Sequence, residues 1–467
     1  MAPYAKTGGL ADVMGALPAT LARAGHDVRV VLPLYDSVDT KKATFEAVGD
    51  FGVPLGTHRY TARVFRVGTA PTVYFVHCPE LYTRGRLYTS DADEHRRFLA
   101  LCYVSLFLCQ RADFAPDVVH AHDWQAAMMP MLLKTVFAKD PRFARTRSLL
   151  TIHNLMYQGS FPVAAGPDTN LEAYATLFHQ ELLDAGRINF LVQGVLYADG
   201  VSTVSPTYAR EIQTQALGGG LDHLLRARSS TVIGILNGVD YNEWSPEADR
   251  FIPHRYSASD LSGKEANKQH LLTSLGLPYQ RGVPVIGIVS RLVAQKGFSL
   301  LGRTMPALLR RHGFQLVVLG NGEPALEGML TELQRAFPRQ VCFFNGFKND
   351  LAHLIEAGSD MFLMPSIYEP CGLNQMYSLR YGTVPVVHRT GGLADTVTTW
   401  NPANGRGNGF AFEKHDEAGV RWGVQAALNT YRNPDSWRQL QQNGMAADFS
   451  WQAQGKLYEL VYKRLAS

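Results

Sequence analysis

Ten short runs of aliphatic, β-branched and aromatic residues recur along the chain, with helical patterns filling the spaces between them. Residues 28–32, 73–77, 118–121, 148–153 and 201–205 supply the runs of the first half. Residues 285–290, 316–319, 341–344, 361–364 and 384–387 supply those of the second. The runs are continuous rather than alternating, as expected of parallel strands covered on both faces. Strands and helices taking turns in this way read as doubly wound α/β domains, one per half. A length of 467 residues, too great for one ordinary core, agrees. Turn-rich Asn237-Gly-Val-Asp240, followed by Trp244-Ser-Pro246, places the crossing between the halves. The predicted domains are therefore 1–237 and 238–447.

One octapeptide occurs in both halves. Lys6-Thr7-Gly8-Gly9-Leu10-Ala11-Asp12-Val13 returns as Arg389-Thr390-Gly391-Gly392-Leu393-Ala394-Asp395-Thr396. A cation, a hydroxyl and two glycines ahead of an apolar-periodic segment describe a strand-to-helix turn able to receive an anion. The glycines allow close approach of the backbone, and the helix start offers free N–H donors and positive potential. Two such turns, one per half, predict a ligand held between two similar domains.

Composition removes several classes of function. Hydrophobic residues make up 46% and charged residues 18%, the balance of a globular enzyme. A net charge of +4 gives no reason to expect a nucleic-acid partner. The most lipid-like stretch, residues 98–109, falls short of the ~20 apolar residues that span a bilayer and reads as a buried helix. The five cysteines (78, 102, 109, 342, 371) are scattered without a C-x-x-C pair, so reduced thiols in a cytoplasm fit better than disulfides or a structural zinc. Neither G-x-G-x-x-G nor G-x-x-x-x-G-K-[ST] is present, which disfavours a dinucleotide dehydrogenase and ATP hydrolysis.

The chemistry-bearing residues follow the predicted strands, at the carboxyl edge where open α/β sheets bind ligands. In Ser290-Arg291-Leu-Val-Ala-Gln-Lys296-Gly297, Arg291 and Lys296 could converge on a diphosphate; two surface cations at a solvated helix start are the alternative. In Ser366-Ile-Tyr-Glu369-Pro-Cys371-Gly372-Leu373, Pro370 and Gly372 force a loop with exposed amides beside a carboxylate, a receptor for sugar hydroxyls; the alternative for Glu369 is a helix cap. His120 and His122 alternate on one strand like a metal pair, but further ligands at defined spacing are missing, so structural histidines are the better reading. Asp91-Ala-Asp93 precedes a helix rather than following a strand and reads as a cap or surface loop.

With these residues assembled, the chain resembles bacterial glycogen synthases and plant starch synthases. The motifs KTGGLADV, HAHDW, TIHNLMYQG, VSPTYAREI, LNGVD, SRLVAQKG, EPCGLNQ and RTGGLADT occur in that family's order, extending from residue 6 to Asp448-Phe-Ser-Trp451. The resemblance implies two Rossmann-like domains facing across a cleft, the architecture called GT-B, with 448–467 packing back on the first. It implies transfer of glucose from ADP-glucose to the non-reducing end of glycogen or another α-1,4-glucan, with retained configuration and without metal or cofactor.

By the same resemblance, Arg291 and Lys296 bind the pyrophosphate, helped by the Thr390-Gly391-Gly392 turn. Glu369 and the amides of Cys371, Gly372 and Leu373 hold the glucose 3- and 4-hydroxyls. His153 lies against the transferred sugar with its backbone carbonyl facing the developing positive charge, and Asp123 lines the same site. Lys6, Gly8 and Gly9 approach the donor when the domains close, and Phe347 is assigned to the adenine face. Cys371 at a helix start could be a lowered-pKa nucleophile, but glucosyl transfer offers a thiolate no role, so backbone contact and packing are expected.

Three departures stand out. Family members usually begin with a hydrophobic strand before the KTGG loop, whereas this chain begins Met1-Ala2-Pro3-Tyr4; the expectation is a missing central strand, from a mis-assigned start or a truncated sequence. Val192-Gln193 stands where relatives often carry a lysine, and Pro18 should kink the helix after the first TGGLAD. The competing functions are the same transfer from UDP-glucose, a pyridoxal-phosphate-dependent glucan phosphorylase, and a non-catalytic glucan-binding protein.

Overall fold

The computed structural model describes residues 1–68 and 70–467. They form two compact units, Met1–Gly238 with Trp451–Ser467, and Val239–Ser450.

In the second unit the continuous apolar runs become one parallel six-stranded sheet. Its order is Val341–Asn345, Gln315–Gly320, Val285–Val289, Met361–Met364, Val384–His388, Phe410–Phe412. That is the doubly wound order, reversing at the strand Val285–Val289. Side chains of successive residues point to opposite faces, so each strand feeds two cores. Ile286, Ile288, Leu316, Val318, Leu363 and Val386 enter one, while Val285, Val317, Leu319, Phe362 and Val387 enter the other. Helices on both faces leave the carboxyl edge as the open side, and loops 290–297, 346–348, 366–373 and 389–390 all leave from it.

The described strands of the first unit form a two-stranded antiparallel pair, Ser160–Pro162 with Arg187–Asn189, and two four-stranded sheets. One is parallel, in the order Val232–Gly234, Gly200–Thr203, Arg147–Ile152, Val118–His122. The other runs Arg29–Pro33, Thr72–His77, His58–Val67, Glu46–Leu55, its last two strands joined as an antiparallel hairpin. The sequence reading has strands at 28–32 and 73–77 but none in the hairpin. The hairpin alternates buried and exposed residues and pairs its outward charges, Arg63 with Asp50 and Arg66 with Glu46, each at 2.7 Å.

The apolar stretch at 98–109 lies in the buried helix Glu94–Arg111, where Arg97 is wholly enclosed and bonds Glu94 and the Leu81 carbonyl. Arg84 bonds both Asp91 and Asp93 just before that helix, an ion-pair loop rather than a metal pair. The helix Gly9–Arg23 remains a single helix through Pro18. Val13, Leu17 and Leu21 of this helix pack against Trp451, Tyr458 and Val461 of the terminal helix Trp451–Ala466. The two chain crossings are adjacent: a Cβ on Gly238 would press into the Trp451 indole, and the Val239 amide donates to the Phe449 carbonyl at 2.7 Å.

Candidate functional site

Three loops of the second unit interlock. Lys296, in the turn Ala294–Lys296, reaches across to Glu369 with Nζ 2.6 Å from Oε2, and the Ser366 hydroxyl donates to the same oxygen at 3.0 Å. Glu369 is only 6% exposed, so its charge is held by these two donors rather than by water. Gly297, at φ +70°, closes the Lys296 turn where a side chain would strike the Pro365 carbonyl. The loops are further tied by Ile367 N–H to the Gln295 carbonyl at 2.9 Å and Gln295 Nε2 to the Tyr368 carbonyl at 3.2 Å. Arg291 opens the same loop; its guanidinium is exposed and makes no ion pair among the described residues.

The Thr390-Gly391-Gly392 turn is pressed onto the 366–373 loop. A Cβ on Gly391 would overlap the Glu369 carbonyl oxygen, and one on Gly392 the Cys371 carbonyl oxygen. Gly391 also sits at φ +45°, where only glycine is at ease. The Gly392 amide donates to the Glu369 carbonyl at 3.1 Å. Cys371 is buried, Gly372 has φ +72°, and Leu373 leads into the helix Asn374–Arg380. Phe347, 76% exposed, follows the strand Val341–Asn345 at the same sheet edge.

The first copy of the octapeptide is built differently. Gly8 and Gly9 have open space where a Cβ would stand, and both are exposed. Lys6 turns back to Asp12 of its own motif at 2.6 Å, whereas Arg389 pairs with Glu413 at 2.8 Å. Identical residues thus meet opposite packing constraints.

A second constellation lies in the first unit, where the strands Val118–His122 and Arg147–Ile152 end side by side. Asp123 adopts φ +53° and its Oδ1 accepts the His153 amide at 2.7 Å, fixing that peptide. His122 Nδ1 lies 3.0 Å from His153 Nε2, while His153 Nδ1 is buried with no hydrogen-bond partner among the described residues. His120 bonds the Tyr462 hydroxyl at 2.8 Å and Thr151 Oγ1 at 2.5 Å. Burial, followed by the neighbouring imidazoles, holds His120 well below the usual imidazole value; burial and then His122 do the same for His153. His122 is lowered to about 3, chiefly by burial. Burial raises the Asp123 carboxyl to about 7 against the lowering effect of the His153 and Asn154 amides. Near neutral pH this cluster therefore offers neutral imidazoles and a carboxyl near its midpoint.

Among the described residues no group of three or more His, Cys, Asp or Glu is arranged to hold a metal ion, and none of the five cysteines is joined in a disulfide. No described helix is long and apolar enough to cross a membrane.

Residues 1–227 match the family described as the starch synthase catalytic domain, and residues 278–444 match glycosyl transferases group 1. A glycogen synthase of Koribacter versatilis is 44% identical over 99% of this chain and 96% of its own length. The chain belongs to the glycogen and starch synthase family. A second glycogen synthase, from Myxococcus xanthus, is 44% identical over 100% of this chain and 98% of its own. The catalytic domain of starch synthase IV from Arabidopsis thaliana, solved bound to ADP and acarbose, is 33% identical with a TM-score of 0.92, covering 100% of this chain and 97% of that one. The protein is a glycosyltransferase of the two-domain α/β, GT-B type.

Several residues that shape these sites in this glycogen synthase family member escaped the sequence reading. Ser366, Gln375 and Thr396 bond within the second-unit loops, and Tyr462 reaches His120 from the last helix. Ser366 and Gln375 lie inside or beside quoted motifs, but a serine or glutamine carries no spacing signal of its own. Tyr462 is 342 positions away from its partner.

Proposed function

We propose that the protein is a glycogen synthase that moves glucose from ADP-glucose to the non-reducing end of an α-1,4-glucan with retention of configuration. The observation carrying this reading is the Lys296–Glu369 pair at 2.6 Å inside three interlocked, glycine-shaped loops. Such loops offer a cation for phosphate, a carboxylate for hydroxyls and backbone amides for both. ADP is bound by the Arabidopsis relative, which favours adenine as the base.

In this mechanism Arg291 and Lys296 hold the diphosphate, with the Thr390-Gly391-Gly392 turn beside it. Glu369 and the amides of Cys371, Gly372 and Leu373 orient the glucose. Phe347 covers the adenine, and Lys6, Gly8 and Gly9 contact the donor. His153 and Asp123 contact the sugar, with the His153 peptide held in place by the Asp123 carboxylate. As the bond from C1 to the phosphate oxygen breaks, negative charge gathers on ADP, where Arg291 and Lys296 stabilise it. The incoming 4-hydroxyl attacks C1 from the face that ADP leaves and passes its proton to the departing phosphate oxygen. Double displacement would need a carboxylate beneath C1, and Glu369 is engaged elsewhere. Trapping a covalent glucosyl-enzyme would overturn the front-face route. Five scattered cysteines with no disulfide among the described residues fit a reducing compartment such as the cytoplasm.

Glucose incorporation into glycogen from ADP-, UDP- and GDP-glucose in parallel tests the donor. ADP-glucose should give the highest kcat/KM. Equal or faster transfer from UDP-glucose would replace the donor while leaving the transfer intact.

A further inference from the structure

The Gln375 side chain is completely buried at the start of the helix Asn374–Arg380 and takes no part in the chemistry described above. Its Nε2 lies 3.0 Å from the Cys371 carbonyl, 3.0 Å from the Gly372 carbonyl and 3.2 Å from Thr396 Oγ1. Thr396 in turn donates its hydroxyl to the Gly392 carbonyl at 2.6 Å. One amide group, its two N–H protons shared among these three acceptors, thus ties the 366–373 loop to the helix that carries the Thr390-Gly391-Gly392 turn. The two segments meet again where the Gly392 amide donates to the Glu369 carbonyl at 3.1 Å. The Oε1 atom of Gln375 lies against Gly372, where a Cβ would collide with it, so Gly372 and Gln375 fit as a pair. Next door, Asn374 Nδ2 donates to the Val289 carbonyl at 2.7 Å, at the root of the loop carrying Arg291 and Lys296.

We propose that Gln375 is a positioning residue, which acts through Cys371, Gly372 and Thr396 to fix the sugar-facing amides relative to the diphosphate-facing turn. This rests on the donor-site reading of those loops. Chemistry explains the residue type. The loop carbonyls need an uncharged double donor, and a carboxylate of the same length would set oxygen against oxygen. A short aliphatic group would remove this donor from both carbonyls. Misplacement of amides by a fraction of an ångström costs transition-state contact more than ground-state folding, because the oriented donors act at the sugar being transferred.

The test uses the full chain carrying Gln375→Met, Thr396→Val, both together, or Lys296→Ala, each compared at equal folded concentration fixed by circular dichroism and thermal unfolding. Gln375→Met should lower kcat/KM for the sugar nucleotide by about 30-fold or more while KM for glycogen stays within about twofold. Because Thr396 and Gln375 share one bond, the double variant should be no more than about twofold worse than Gln375→Met alone. A folded Gln375→Met enzyme with wild-type donor kcat/KM overturns the proposal. So do losses that multiply in the double variant, or a rise of more than about twofold in KM for glycogen. Should Gln375→Met fail to fold, Thr396→Val carries the same test, and its unchanged donor kcat/KM would be equally fatal. If Lys296→Ala also retains full activity, it is the donor-site reading that fails rather than the role of Gln375.

Discussion

Lys296 places its ammonium 2.6 Å from the Glu369 carboxylate, so the cation proposed to hold the diphosphate is already neutralised by the group proposed to hold the sugar. Diphosphate binding must share Lys296 with that carboxylate. Glu369→Gln removes the competing charge while keeping the shape. It should tighten binding of ADP alone by about threefold at low salt, an advantage that shrinks as salt rises. Glucose transfer should fall sharply at the same time. Isothermal calorimetry on the variant checks this; weaker ADP binding would show that Glu369 does not compete for Lys296.

The duplicated glycines make a paired test of packing. Gly391→Ala drives a methyl into the Glu369 carbonyl at φ +45°, and Gly392→Ala drives one into the Cys371 carbonyl. Each should cost about 1–3 kcal/mol of stability and disable transfer. Gly8→Ala and Gly9→Ala meet nothing within 4 Å and should shift stability by no more than about 0.5 kcal/mol. Thermal unfolding of the four variants distinguishes the copies, and equal losses would contradict the asymmetry.

Asp123 supplies a pH dependence with a definite sign. Burial raises its carboxyl from 3.8 to about 7. Between those values the folded protein keeps a proton that the unfolded chain has released, so stability from this group falls as pH rises. The slope is at most about 1.4 kcal/mol per pH unit, moderated by the partial exposure of the residue. Asp123→Asn keeps an acceptor for the His153 amide and does not titrate. Its Tm advantage over the wild type should therefore grow from pH 4 to about 7 and then level off. A difference independent of pH would remove the buried carboxyl from the account.

Phe347, 76% exposed, contributes little to the core. Phe347→Ala should leave Tm unchanged within about 1 °C and raise the donor KM about fivefold without changing KM for glycogen. An unchanged donor KM would leave the adenine without this aromatic face.

Much of the architecture was legible because the second unit's strands are apolar on both faces. Residues 361–364 were placed without error, and 285–290 ended one residue late. The hairpin Glu46–Leu55 and His58–Val67 was not, since its half-exposed strands carry arginines and acids that look like surface loop until their cross-strand partners are known. Loops around Lys296 and Glu369 announced themselves through proline and glycine. What the sequence could not say is which glycines are constrained: Gly8 and Gly391 sit in the same words, and only the chain packed beside Gly391 separates them. Gln375 reads as an ordinary helix residue, because the two loop carbonyls it bonds converge on it only once the Gly372 turn is formed.

The most direct test of the central claim is glucose transfer from ADP-glucose to glycogen by the wild type, Glu369→Ala and Lys296→Ala at equal folded concentration. The loops built around this pair should make each variant at least about 100-fold slower than the wild type. Transfer within threefold of the wild type (about 0.7 kcal/mol) by either folded variant would contradict the claim.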